Sequence, residues 1–264
     1  MIIVRPGREV ELIILLISVL FFIYWMWRSM GSKPIPSLRD FPAINAILEG
    51  VGRAVETNKP VHFGLGESSA LSADQAAGTI SALNFLAYTA RECARTGAKL
   101  IVRISPSPHL YTQADALVTE AYAAEGKQKE LDKLYTLRYY GDARSYMTRG
   151  IHDMDELGVA MNVTMGALSV ETIWAFAVCR MKQGIGVGGG SRWGMVFGLA
   201  MLADYALLGE EMYGASAKIS GDRNMITSLI GGDWLKFVLI GLLVIASIAT
   251  IAGRYDLVSW IFKR

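Results

Sequence analysis

Two long apolar runs stand apart in the pattern of the chain, one towards each end. Residues Leu12 to Trp27 read LIILLISVLFFIYWMW without a charge. With Val10 and Glu11 they make about 18 residues, enough to cross roughly 30 Å of hydrocarbon as a helix. Tyr24, Trp25 and Trp27 close the run and Arg28 follows, the aromatic belt and basic stop of a membrane interface. No small-residue cleavage site follows, so the pattern predicts a retained span over 10–28, not a signal peptide. The second run, LKFVLIGLLVIASIATIA from Leu235, predicts a span over 234–253, flanked by Trp234 and Lys236 on one side and Arg254 and Tyr255 on the other. Gly241, Ala246, Ser247 and Ala249 place small residues along it, for close helix packing or for plain lipid exposure. Residues 1–9 form a short tail before the first span. The tail after the second, 254–264, puts Leu257, Trp260, Ile261 and Phe262 among Arg254, Lys263 and Arg264 and reads as an interfacial segment.

Between the spans the apolar positions follow shorter periods. Residues 29–42 hold three of the seven prolines and predict a stiff linker. From there to 233 helical and extended patterns alternate. Ile44, Ile47, Leu48 and Val51 share one helical face. KPVHFG at 59–64 is a predicted strand, and Ser72 or Asp74 is placed to cap the alanine-rich helix that follows to Thr96. KLIVRIS predicts a second strand, 113–124 a helix ending at Gly126, 131–140 a short strand and 142–157 a polar helix. Residues 159–165 then read as a strand, 169–182 as a helix, 184–190 as a strand entering a glycine loop, and 192–215 as one strongly apolar helix. Strand and helix alternate with crossovers too long for hairpins. This predicts an α/β domain over 43–233, its largely parallel sheet flanked by helices and bracketed by the two transmembrane helices. Within 193–208, Asp204 and the Gly-Glu-Glu that follows argue for a buried core or subunit-contact helix rather than a third span.

Composition agrees with a mixed chain: mean hydropathy is +0.33, above soluble proteins and below polytopic ones. A net charge of +2 gives no footprint for nucleic acid. Cys93 and Cys179 lie far apart, in apolar helical contexts, and predict buried thiols of a reducing compartment. No CxxC or HExxH occurs, and His62, His109 and His152 are scattered. No metal, cofactor or catalytic set is therefore predicted. Basic residues flank both sides of the first span nearly equally; the thiols favour a cytoplasmic domain, in an integral protein of a prokaryotic plasma membrane.

Three places could carry chemistry. Gly184-Ile-Gly186-Val-Gly188-Gly189 fits GxGxxG before a helix, where backbone N–H groups suit a phosphate. That fingerprint belongs to a first βα unit and here is read in the last, so tight backbone packing competes with it. Gly64-Leu-Gly66-Glu67-Ser68 follows the first strand. In a parallel sheet it would share an edge with Ser191 and Arg192, giving a ligand site of Gly64, Gly66, Glu67, Ser68, Gly186, Gly188, Ser191 and Arg192. Asp204 lies seven residues before Glu211 on one predicted apolar helix, with Tyr205 and Glu210 beside them. Paired carboxylates there serve a buried salt bridge, to Arg180 or Arg192 or across a subunit contact, or acid–base and metal chemistry.

The stretch PVHFGLGESSALSADQAAGTISALNFLAYTA, with GIGVGGG and ADYALLGEEMYGASAKIS further on, resembles a prokaryotic membrane-anchored family catalogued as a domain of unknown function. The resemblance runs over about 55–236. Its most specific part is Asp-Tyr-x-Leu-x-Gly-Glu-Glu at Asp204, Tyr205, Leu207, Gly209, Glu210 and Glu211. It implies an α/β domain tied to membrane spans and no assigned reaction. Taken together, the sequence favours a membrane-anchored scaffold that forms a homo-oligomer or joins a larger membrane complex. A small-ligand or nucleotide sensor comes next, then a membrane-proximal enzyme working through Glu67, Asp204 or Glu211.

Overall fold

The computed structural model describes residues 9–30, 34–66, 69–71, 75–104, 107–169 and 172–253. The two tails lie largely outside these residues, as do Ser72 and Asp74. The chain divides into two compact units, one of residues 39–220 and one made of 1–38 with 221–264.

The 39–220 unit is an α/β domain. Its strands are β1 (Val61–Leu65), β2 (Leu100–Ile104), β3 (Tyr135–Tyr139), β4 (Met161–Gly166), β5 (Ile185–Gly190) and β6 (Tyr205–Leu208). They form one parallel sheet in the order β3-β2-β1-β4-β5-β6. Strand order reverses between β1 and β4, so right-handed crossovers place helices on opposite faces on either side of that point. One face carries α2 (Pro42–Thr57), α3 (Ala76–Thr96), α4 (Pro108–Ala124) and α9 (Glu210–Ser220). The other carries α6 (Ala143–Glu156), α7 (Ile173–Met181) and α8 (Trp193–Leu202). A 3-10 turn at Gln128–Glu130 and a single helical turn, α5 (Leu131–Leu134), lead into β3.

The two faces differ in chemistry. On the α2–α3 side, Phe63, Leu65, Val102, Ile104, Val163 and Met165 are wholly buried and form an ordinary aliphatic core. On the α6–α8 side, β5 presents almost no side chain. A Cβ at Gly186 would lie 3.1 Å from Phe176, and one at Gly188 would lie 2.6 Å from Leu199 and 2.8 Å from Phe176. A Cβ on Gly189, facing the other way, would reach the Met165 sulfur at 2.4 Å. Ile185–Gly190 is therefore a buried strand to its last residue, where the pattern suggested entry into a loop. Its glycines let α7 and α8 rest on backbone.

The apolar stretch after it also differs from the sequence expectation of one helix over 192–215. It folds as α8, then β6, then α9. A four-residue edge strand without alternation leaves no period to detect. The break is made by Asp204, whose N–H donates to the Gly186 carbonyl (2.9 Å) while its carboxylate accepts the Gly186 N–H (2.7 Å). Ten residues of α8 rise only about 15 Å, too short for a third span.

The other unit is an antiparallel helical hairpin of α1 (Glu9–Met30) and α10 (Arg223–Ile251). Both helices are long and apolar enough to cross a membrane. Ile14, Ile17, Phe21, Trp25 and Ser29 of α1 are less exposed than their neighbours, as are Gly231, Leu235, Val238, Leu242 and Ala246 of α10. Steps of three and four residues mark the seam where the two helices meet. Phe22 and Trp25 fill the space at Gly231, and Phe21 stacks on Trp234 at 6.1 Å. Ser29 Oγ meets Asn224 Oδ1 at 2.6 Å, and Arg223 Nε donates to the Ser29 carbonyl at 3.2 Å. The α10 helix begins at Arg223, well before the apolar run at 234, because Asp222 caps it by accepting the Asn224 N–H at 2.8 Å.

Glycine packing gives a direct test. Gly188→Val should destabilise the detergent-solubilised protein by about 1–3 kcal/mol, the range for overpacking a filled core. Gly241 has nothing within 4 Å of its Cβ position, so Gly241→Val should leave the melting transition of the domain unchanged. Equal effects from the two would contradict the packing described.

Candidate functional site

In open parallel sheets ligands bind at the carboxyl ends of strands, where strand order reverses. Here that point lies between β1 and β4, each of which ends at a glycine with positive φ. Gly66 (φ +22°) turns so that a Cβ would lie 2.5 Å from the Ala167 carbonyl oxygen. At Gly166 (φ +117°) a Cβ would lie 2.5 Å from Ser69 Oγ. Ser69 laces the two loops together: its N–H donates to Gly66 O at 3.1 Å, and its Oγ accepts the Ala167 N–H at 3.2 Å. Thr79 Oγ1 accepts the Ala70 N–H at 3.1 Å and fixes the same loop to α3.

Other predicted positions sort themselves around this point. Gly64 is not in a loop. It lies inside β1, where a Cβ would be 2.4 Å from the Tyr146 hydroxyl. Glu67 and Ser68 fall outside the described residues. Gly186 and Gly188 are strand glycines. Ser191 does reach the same edge, with its Oγ 3.6 Å from the Cβ position of Gly78 in the first turn of α3. Arg192 sits exposed just before α8. Asp204 and Glu211 share no helix, and Asp204 is exposed at the start of β6. Tyr205 is half-buried in β6, paired with Val187. Glu210 and Glu211 occupy the first turn of α9, the favourable end of its dipole. Glu211 binds Arg39 and accepts the Leu208 N–H at 3.3 Å. Its cation is thus Arg39, not the Arg180 or Arg192 expected. These carboxylates hold strand ends and linker in place.

A dinucleotide does not fit this edge. Laid over the turn at 64–69, the glycine fingerprint would have Ser69 in place of its third glycine, Gly64 is covered by Tyr146, and β2 ends Arg103-Ile104 followed by Ser-Pro, without the acid that binds a ribose. Among the described residues no three His, Cys, Asp or Glu side chains gather as metal ligands. Cys93 and Cys179 are free, buried thiols; burial pushes Cys179 up to about 12.

Two features escaped the sequence reading. The first is a polar layer under α6. The guanidinium of Arg103 is fully buried, donates to Asn162 Oδ1 at 3.1 Å and lies 5.5 Å from the Tyr146 ring centroid. Gly150 of α6 makes room for it, since a Cβ there would overlap Arg103 Nη1. Asp153 accepts the Tyr140 hydroxyl at 2.8 Å and pairs with Arg138. His62 Nε2 lies 3.0 Å from the Gly158 carbonyl, an acceptor only, so Nε2 carries a proton. Burial, aided by the nearby Arg103 charge, lowers His62 to about 3.

The second feature is a cleft of about 440 Å³ between α6 and α7, lined by Arg144, Met147, Thr148, Ile151, Ser169 and Trp174. It falls within the size range of small-molecule sites. The 144, 147, 148, 151 spacing was legible as one face of a helix; that the face lines a cleft was not.

Residues 4–261 match the model of the domain of unknown function DUF6754. The chain belongs to the DUF6754 family. The DUF6754 match takes in both apolar helices as well as the domain, a wider reach than the central resemblance at 55–236. No curated protein and no solved structure matches the chain.

His62 sets an acid limit. Its folded pKa lies below its unfolded value near 6.5, so the unfolded chain takes up the proton first. Stability is complete above about pH 6.5 and falls as pH drops towards 3, by about 1.4 kcal/mol per pH unit. Exposed carboxylates such as Asp142 and Asp155, lowered by hydrogen bonds from Ser145 and Lys182, act only below the usual carboxylate range. Melting temperature should therefore fall between pH 6.5 and 4.5 in wild type and be flatter in His62→Gln. An unchanged slope would remove His62 as the cause.

Proposed function

We propose that the protein is an integral membrane scaffold of a prokaryotic plasma membrane, whose domain faces the cytoplasm and assembles with further copies of itself. The observation that carries this reading is the outer side of α7 and α8. Helix α8, WGMVFGLAML, has no polar face at all. A helix apolar all round belongs in a core or a contact, yet Phe197 and Met201, one turn apart, are 71% and 74% exposed. On α7, Met181 is exposed to 81%. Gly198 lets Ile173 of α7 lock against α8, its Cβ position lying 2.2 Å from Ile173 Cδ1, so the two apolar ridges are held side by side. Large apolar groups grouped on a rigid surface mark a protein contact.

The two long apolar helices support membrane anchoring, with Gly232 and Gly241 leaving open, small-residue surface on α10 for another helix. The free buried thiols support a reducing side for the domain.

Light scattering of protein in nanodiscs or mild detergent should show an oligomer. Phe197→Glu combined with Met201→Lys should shift it to monomer without lowering the melting temperature, because both side chains are exposed. A wild type that is monomeric at every concentration sinks the proposal. Intact oligomers in the double variant would place the contact elsewhere. Loss of vesicle contact by the domain without loss of oligomers would assign the face to lipid.

A further inference from the structure

We infer that the cleft between α6 and α7 is a binding site for an amphipathic anion: a small molecule with an apolar body and one carboxylate head. The assembly reading plays no part in this inference, which stands on the composition and position of the cleft.

Position comes first. Helix α6 follows β3 and α7 follows β4, so the first turns of both helices lie at the carboxyl edge of the sheet. Ser169 belongs to the loop that leaves β4 at the strand-order reversal. The cleft thus occupies the place where open α/β sheets accept ligands.

The walls then specify the body. Met147 and Ile151 lie one turn apart on α6, and Trp174 faces them from the first turn of α7. Trp174 is 64% exposed although it borders a concave apolar surface. An apolar or aromatic guest against the indole would remove that surface from water and gain ring contact. The methionine adds a side chain that adapts to the guest's shape.

The rim specifies the head. Arg144 is the cation of the cleft, and neither Asp nor Glu is among the described residues that line it. Asp142 caps α6, accepting the Ser145 N–H at 2.9 Å and the Ser145 hydroxyl at 2.6 Å, and feels the Arg144 charge only as a weaker influence. Thr148 and Ser169 stand on the same rim, the Thr148 hydroxyl donating to the Arg144 carbonyl at 2.9 Å. A guanidinium on a rim with no carboxylate among its described residues suits a carboxylate. One cation suits one charge.

Two sources offer this chemistry: a lipid-derived acyl acid and a water-soluble aromatic acid. The test uses the full chain in nanodiscs, with decanoate for the first source, 3-phenylpropionate for the second, and 1-decanol as the uncharged control. Titration is followed by tryptophan emission, with Trp174→Phe identifying the reporting ring. At least one acid should give a saturable change that Trp174→Phe abolishes. Arg144→Glu should weaken that acid about tenfold or more, as expected for losing a charge-assisted hydrogen bond, and leave decanol unaffected. Thr148→Phe, at an exposed position, should block the cleft and remove binding of either acid. Phe197→Glu should leave binding intact, which separates this site from the assembly face. Decanoate alone binding would assign the lipid-type guest, and 3-phenylpropionate alone the soluble one. No saturable change with either acid overturns the inference. So does decanol binding as tightly as decanoate, or an Arg144→Glu protein that binds acids as wild type does.

Discussion

Everything on one side of the sheet depends on how closely helices can approach β5. Close approach is a backbone matter: with Gly186, Gly188 and Gly190 facing α7 and α8, Phe176 and Leu199 fall directly onto main chain. The van der Waals contact that a side-chain layer would provide is made instead by the helices' own large residues. The helices are therefore low on the sheet and tightly placed. That position decides what remains outside. The inner side of α8 is consumed by the contact, and its equally apolar outer side is left for something else. It also leaves α7 standing beside α6 with a cleft between their first turns.

The same face changes character towards β1 and β2, where α6 crosses it. There the layer is polar: Arg103, Asn162, Thr164 and His62 lie buried beneath Tyr146 and Gly150. A charge held in such a place is costly to desolvate. Tyr146 sits over Gly64 as well as beside Arg103, and so ties α6 to β1 and β2. The rigid side of the cleft is the consequence. Its apolar residues are carried by a helix whose buried face is keyed to the sheet by size and hydrogen bonding together.

Much of this was legible in the sequence, and the failures have physical reasons. The two apolar helices announced themselves through length and flanking aromatics. The alternation of periods gave a parallel α/β domain, and the positions of β1, β2 and β4 followed from short apolar runs after turns. Asp204 was misplaced because it is a single polar residue between the apolar WGMVFGLAML and YALL, and YALL itself has no alternation. A lone aspartate looked like a buried charge when it was the residue that ends one element and aligns the next. The glycine strand was half read: tight packing was considered, but the resemblance to a phosphate loop drew attention to its end. Tertiary context alone could reveal the Arg103 layer. A strand reading LIVRI does not say whether its arginine is buried, since the glycine that admits it lies on another element. Ser69 and Gly166 were missed for the same reason, each having meaning only beside the other.

The hairpin of α1 and α10 has a bearing on the order in which the protein can be made. Its two halves are the first and last long helices of the chain, with the entire α/β domain between them. At the usual pace of synthesis, the stretch separating Met30 from Arg223 takes about 10–40 s to complete. Throughout that interval α1 exists without its partner, while the domain has time to fold as an independent body. The first helix must therefore persist alone. Its apolar side chains are spread around the whole circumference, with no polar stripe waiting for cover, which suits a helix that rests in lipid before it pairs. Polar contacts between the two helices are concentrated where α1 ends and α10 begins, at Ser29, Arg223 and Asn224. They are closed by the later arrival, and so secure a pair whose apolar seam had only to be found.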